Sequence, residues 1–147
     1  MSKSTRVAVG VVCALGVALV ATALALFHGY FDHGQFVVKE TNWSSSRRVA
    51  IVAERSDDEA MNGDQYFVLI GDHVFSPSEL RAAYYGHRVI FATDSDCLGV
   101  RWRDPNNLTV LCRKGFIDKS HIEVQIRQAG DVTITYETIQ DANPARK

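Results

Sequence analysis

Asp72, His73 and Ser76 bring the three residue types of a hydrolase triad within five positions of the chain. An acid, an imidazole and a hydroxyl can relay a proton only when they stand in line, and the context for that is missing. There is no G-x-S-x-G, so no strand-to-helix elbow raises a nucleophile. Ser76 has another use. Ser76-Pro77-Ser78-Glu79 reads as a capping box, with Ser76 as N-cap, Pro77 at the first helical position and Glu79 reaching back. Asp94, Asp96 and Gly99 have the spacing of a calcium loop. Leu98 stands where a third oxygen ligand belongs and Pro105 where the bidentate Glu belongs, so the EF-hand pattern fails. Asp57-Asp58-Glu59 with Asp64 suits a solvated loop tip. His28, Asp32 and His33 could hold a divalent ion, but they suit a hydrated linker as well. The five histidines, His28, His33, His73, His87 and His121, show no H-x-x-x-H spacing, and the cysteines no C-x-x-C. No P-loop or G-x-G-x-x-G is present. The expectation is no catalytic residue, no cofactor and no metal. The alternative is a small envelope hydrolase whose site, using a carboxylate or a histidine, is assembled only in the fold.

Cys97 and Cys112 flank a turn signal, Asp104-Pro105-Asn106-Asn107, with Asp at its first and Pro at its second position. The two cysteines therefore fall on adjacent strands of a hairpin. Leu98, Val100 and Trp102 form the apolar set of one strand; Leu108, Val110 and Cys112 match them on the other. Cys97 has the wrong parity for that face, and a disulfide needs Cβ atoms about 4 Å apart. A start outside the ladder, or a bulge near Gly99, would restore the bridge. A disulfide and two reduced core thiols both remain open. The same parity gathers Arg101, Arg103 and Arg113 on the opposite face, as an anion-binding patch or as a solvated face.

Most of the chain reads with period two. Strands are expected at 48–55, 65–70, 88–93, 98–103, 108–113, 122–127 and 132–139, with an additional one at 36–39 and a continuation over 73–75. The turn Gln128–Asp131 would join the last two as a hairpin. The one helix signal, over 76–86, would stop at Gly86 and turn Leu80, Ala83 and Tyr84 inward. The fold class is mainly β with one short helix, at the border of all-β and α+β, as an antiparallel sheet or small sandwich.

These elements follow an apolar run, VAVGVVCALGVALVATALALF, from Val7 to Phe27. Its 21 residues, rising ~1.5 Å each, would cross a hydrocarbon core of ~30 Å. Lys3 and Arg6 precede it, which puts residues 1–6 in the cytoplasm and the rest outside. The reading is a signal-anchor at 7–27, a linker at 28–35, an exported domain at 36–140 and a tail at 141–147. Cleavage near Ala23 or Ala25, both in A-x-A settings, would instead release a secreted domain. Gly10, Ala14 and Ala18 form a small-residue stripe that permits self-association. Beyond Lys3 and Arg6, fourteen basic residues face seventeen acidic ones, a formal charge of −3, and no basic run exceeds two. That excludes the electrostatic footprint of nucleic-acid binding.

The basic N-terminus and single apolar span are followed by WSSSRRVAIV at 43–52 and VRWRDPNNLTV at 100–110. Together these features resemble small uncharacterised bacterial envelope proteins with one N-terminal membrane span. The resemblance covers about half of the exported part and implies a bacterial envelope setting and a non-enzymatic domain. The expected function is a membrane-anchored, extracytoplasmic interaction module with an envelope protein as partner. An immunity or inhibitor protein is one form of it, and Tyr84, Tyr85, Arg101, Arg103 and Arg113 are its candidate contacts.

Overall fold

The computed structural model describes residues 3–27, 33–57 and 63–142; within the first stretch, side chains are described for residues 10–24. The chain divides into two units, one ending at Asp32 and one starting at His33. In the first, helix α1 spans Lys3–Phe27, so a helix covers the whole predicted apolar run. Its described side chains are all exposed. They cover a shorter stretch than the ~20 residues a crossing requires. Among the described residues no helix is long and apolar enough to cross a membrane.

The second unit is mainly β. Strands β1 (Gln35–Trp43), β2 (Val49–Ser56), β3 (Gln65–Gly71), β4 (Phe91–Thr93) and β7 (Ile122–Gln125) make a five-stranded antiparallel sheet in the order β1-β2-β3-β4-β7. Strands β5 (Leu98–Asp104), β6 (Asn107–Cys112), β8 (Gln128–Ala129) and β9 (Val132–Glu137) make a second sheet, β5-β6-β9-β8. Helix α2 spans Pro77–Tyr85.

Burial explains the layering. In β2, Val49 through Ala53 are all buried, so this strand is covered on both faces. Ala50, Val52, Val68 and Phe91 point toward the second sheet, where they meet Leu98, Val100, Leu108, Val110, Val132 and Ile134. Val49, Ile51, Ala53, Phe67 and Leu69 point the other way, onto Leu80 and Ala83 of α2. The result is a small sandwich with a helix laid over its larger sheet. The capping box forms as read: Ser76 Oγ accepts from the Glu79 amide, and Glu79 accepts from the Ser76 amide.

Four expectations need correction. The second sheet is mixed, because β9 runs parallel to β6, from Asn107 opposite Thr133 to Leu111 opposite Glu137. The strands at 122 and 132 do not form a hairpin. β7 pairs with β4 in the first sheet, and β9 belongs to the second, with only β8 folding back on it. Alternation fixes which face is wet but not which neighbour a strand takes. Residues 73–75 are not strand. Finally, Gly86 does not supply the left-handed helix stop. It keeps φ −80°, and His87 takes the left-handed turn at φ 55°. The Arg88 amide then reaches the Ala83 carbonyl at 3.1 Å, the six-to-one bond of a Schellman ending. Gly86 is required instead by closeness, since a Cβ there would lie 2.7 Å from the Ala82 carbonyl oxygen.

Candidate interaction surface

Cys97 and Cys112 are joined as a disulfide, with Cα atoms 4.9 Å apart. Cys97 sits in the turn before β5, so the face parity of the ladder does not apply to it. The ladder itself obeys the parity, with Leu98 opposite Cys112 and Val100 opposite Val110. No bulge occurs at Gly99; the irregularity falls between Trp102 and Asp104. The Arg113 amide donates to the Cys97 carbonyl at 2.8 Å, closing the clasp. The third cysteine, Cys13 of α1, is free.

The three arginines do not form one open anion site. Arg101 and Arg103 both bond to Glu137 of β9, over the Thr109–Thr135 hydroxyl pair. Arg113 turns to Glu40 of β1, its guanidinium passing over Gly99. Exposed pairs of this kind contribute little stability, but they leave the face close to neutral.

Tyr84 and Tyr85 are half-buried mortar for α2. The Tyr84 ring lies 5.8 Å from Phe36 and 5.1 Å from Phe67, and its hydroxyl donates to Gln65. Tyr85 meets Tyr84 edge-on at 5.2 Å.

Asp72, His73 and Ser76 do come together, as a helix cap. His73 Nδ1 is 2.6 Å from Asp72, and its Nε2 is 3.0 Å from Glu79. Ser76 Oγ donates to Glu79 at 2.7 Å. Both ring nitrogens face carboxylates, and the hydrogen bonds to Asp72 and Glu79 raise the His73 pKa above its ordinary value. Glu79 drops to about 2, chiefly through its bonds to the Ser76 amide and hydroxyl. With both ring nitrogens engaged by carboxylates, neither is directed at the Ser76 hydroxyl, which bonds Glu79 instead. His121 is held likewise by both oxygens of Asp94, at 3.0 and 2.9 Å. Asp57 pairs with Arg55, whereas Asp58, Glu59, His28 and Asp32 lie outside the described residues. Among the described residues, no three His, Cys, Asp or Glu side chains converge to hold a metal ion. A shallow groove of about 570 Å³ runs between Gln35–Val37 and the first turns of α2, lined also by Arg81.

A different region gathers features that pattern reading left scattered. The β1–β2 turn, the β5–β6 turn and the β8–β9 turn meet at one end of the sandwich. Arg48 ties them: it donates to Asn106 Oδ1 at 3.2 Å and to Asp131 at 2.7 Å. Beneath it, the Trp102 indole donates to the Asn42 carbonyl at 2.9 Å, and the Asn42 amide reaches the Val100 carbonyl at 3.3 Å. Residues 43–52 and 100–110 thus meet through Arg48 and Asn106. Buried Ser44 shapes the first turn, its hydroxyl accepting from the Arg48 amide at 3.1 Å. On this frame Trp43 is 50% exposed. Arg47 is exposed with φ 61°, and its guanidinium pairs with none of the described groups. This end lies eight residues along β1 from Gln35, where the chain enters the strand, or about 26 Å. The sequence signal available for it was the Trp-Ser-Ser-Ser-Arg-Arg run; only the fold says that Trp43 stays uncovered. No family model, curated protein or solved structure matches this chain.

Proposed function

We propose that this chain is a non-catalytic binding module of the bacterial envelope that engages a protein partner through the turn end. Its N-terminal helix would hold it at the inner membrane as a signal-anchor, N-terminus in the cytoplasm and β unit outside. An immunity or inhibitor protein, stationed where a toxin or hydrolase arrives, is the specific form of this reading. The observation that carries it is the convergence of three turns on Arg48, with an exposed tryptophan and an unpaired arginine at their tip. Recognition residues concentrate on loops held by a rigid scaffold, and Trp and Arg are the side chains that most often dominate binding. Export is supported by the Cys97–Cys112 disulfide, since such bonds persist in oxidising compartments. Anchoring is supported by an uncharged helical stretch directly after Lys3 and Arg6.

The test is the intact mass of the full chain recovered from cells, with thiols alkylated before and after reduction, followed by chemical crosslinking in intact cells. The expected chain starts at Met1 and has only Cys13 alkylated before reduction. Its crosslinked adduct disappears in a Trp43→Ala, Arg47→Ala double variant that still folds. A chain cut after Ala23 or Ala25 would make it a released secreted domain. Alkylation of Cys97 and Cys112 without reduction would remove the case for export. An adduct that survives the double variant would put the contact surface elsewhere.

A further inference from the structure

We infer that the turn end docks an acidic segment of a partner protein, with a carboxylate on Arg47 and an apolar side chain of the same segment against Trp43. This rests on the binding-module reading above and names the chemistry of its partner. The fold itself does not ask for either residue. Trp43 lies on the helix-facing side of the first sheet, opposite Val49, yet half of it stays in water. Arg47 occupies a left-handed position where glycine would be unstrained. A non-glycine residue in that conformation at an exposed tip motivates asking what it contacts.

Charge decides the class of partner. Arg48 is already neutralised, because Asp131 donates its charge to that pair, and the pairing holds the Asp131 pKa below its ordinary value. Arg47 is left as the uncompensated charge of the tip, on a unit that is otherwise net acidic. Its planar fork matches a carboxylate in two parallel hydrogen bonds. A nucleic acid would need several free cations in a row.

The experiment places p-benzoylphenylalanine at position 43 of the full-length chain in its native cells and identifies what is attached after irradiation. Control chains carry the photoprobe at position 85 or 101. The expected product is a protein adduct at position 43 whose attached peptide has an aspartate or glutamate beside the attachment point. Arg47→Glu should cut its yield at least about tenfold, as removal of one partner of a charge pair does. Arg47→Lys should keep part of it, through charge without the fork. Arg47→Gly relieves the backbone and keeps the fold, so loss of adduct there cannot be unfolding. Replacing the partner's acid with arginine should restore the adduct to Arg47→Glu. A lipid, a glycan, a second copy of this chain or a peptide without an acid at position 43 would overturn the inference, as would an undiminished Arg47→Glu adduct. Adducts at 85 or 101 with none at 43 would overturn it together with the turn-end placement, sparing only the reading that the chain is a binding module. No adduct at any of the three would sink both.

Discussion

His73 is fixed by two carboxylates, and His121 by one, so the stability of this protein should carry an imidazole signature. Both histidines have pKa values raised above 6.5, mainly through side-chain hydrogen bonds to Asp72 and Glu79 in one case and Asp94 in the other. A raised folded pKa means the contribution is fully present below about 6.5 and is lost as pH rises through the folded value. Glu79 works in the opposite direction. Its folded value of about 2 contributes above its ordinary 4.5 and fades as pH falls toward 2. The melting temperature should therefore peak between those windows and decline on the alkaline side. In a His73→Gln, His121→Gln double variant the alkaline decline should flatten, measured by thermal melts from pH 5 to 9. An unchanged slope would mean that the imidazoles are solvated and unpaired. At this scale the sequence was partly legible. Ser76, Pro77 and Glu79 announced their cap because the pattern is local in the chain. Arg113 finding Glu40, and Trp43 remaining exposed, depend on strands that are distant in sequence and could not be read from spacing.

The hairpin of β5 and β6 shows what an element-level argument can and cannot settle. The expected facing of Leu98, Val100 and Trp102 against Leu108, Val110 and Cys112 is what forms. Cys97 meets Cys112 because it precedes the strand. The clasp closes a loop of sequence separation 15, for which the chain-entropy account gives a stabilisation of about 3 kcal/mol. Denaturant titration with and without reductant should show that loss, and a Cys97→Ala, Cys112→Ala variant should match the reduced protein. Two glycines test the packing around such elements. A Cβ at Gly99 would approach the Arg113 side chain at 2.5 Å, but that side chain can swing away, so Gly99→Ala should cost less than about 1 kcal/mol and free Glu40. A Cβ at Gly86 would press on the backbone of Ala82, which cannot move without disturbing α2, so Gly86→Ala should cost about 1–3 kcal/mol. Equal effects at the two sites would mean that side-chain mobility is not the deciding difference. The edge strand β1 also follows a rule visible only in place. Its register shifts between Val38 and Glu40, and exposed Lys39 sits at the irregularity, the two devices that discourage edge-to-edge pairing.

Across the whole β unit, the class and most strands were readable because alternation marks a half-wet sheet. In β2 the run Val49–Ala53 carries no alternation, which matches its burial on both faces. The partnership of β6 with β9 was not readable, since alternation is the same for parallel and antiparallel neighbours. This arrangement makes the first sheet the shared wall of two hydrophobic clusters. Val68 points into the cluster between the sheets; Leu69, its neighbour in β3, points into the cluster under α2. A wall shared in this way cannot let one side melt alone, because losing β3 removes both clusters. Leu69→Ala should cost about 2–5 kcal/mol, with a smaller loss for Val68→Ala, and each should lower one common transition. Two probes can follow it: far-ultraviolet circular dichroism for the sheets, and, with Trp43→Phe in both variants, fluorescence of Trp102, which is half-buried beside the first sheet and bonded to it. If α2 and its cluster were an independent unit, Leu69→Ala would split the curves, with an early phase in dichroism that Trp102 does not report. Coincident curves in both variants would instead mean that the turn end is carried on a scaffold that folds or fails as one body, the rigidity a loop-borne binding surface requires.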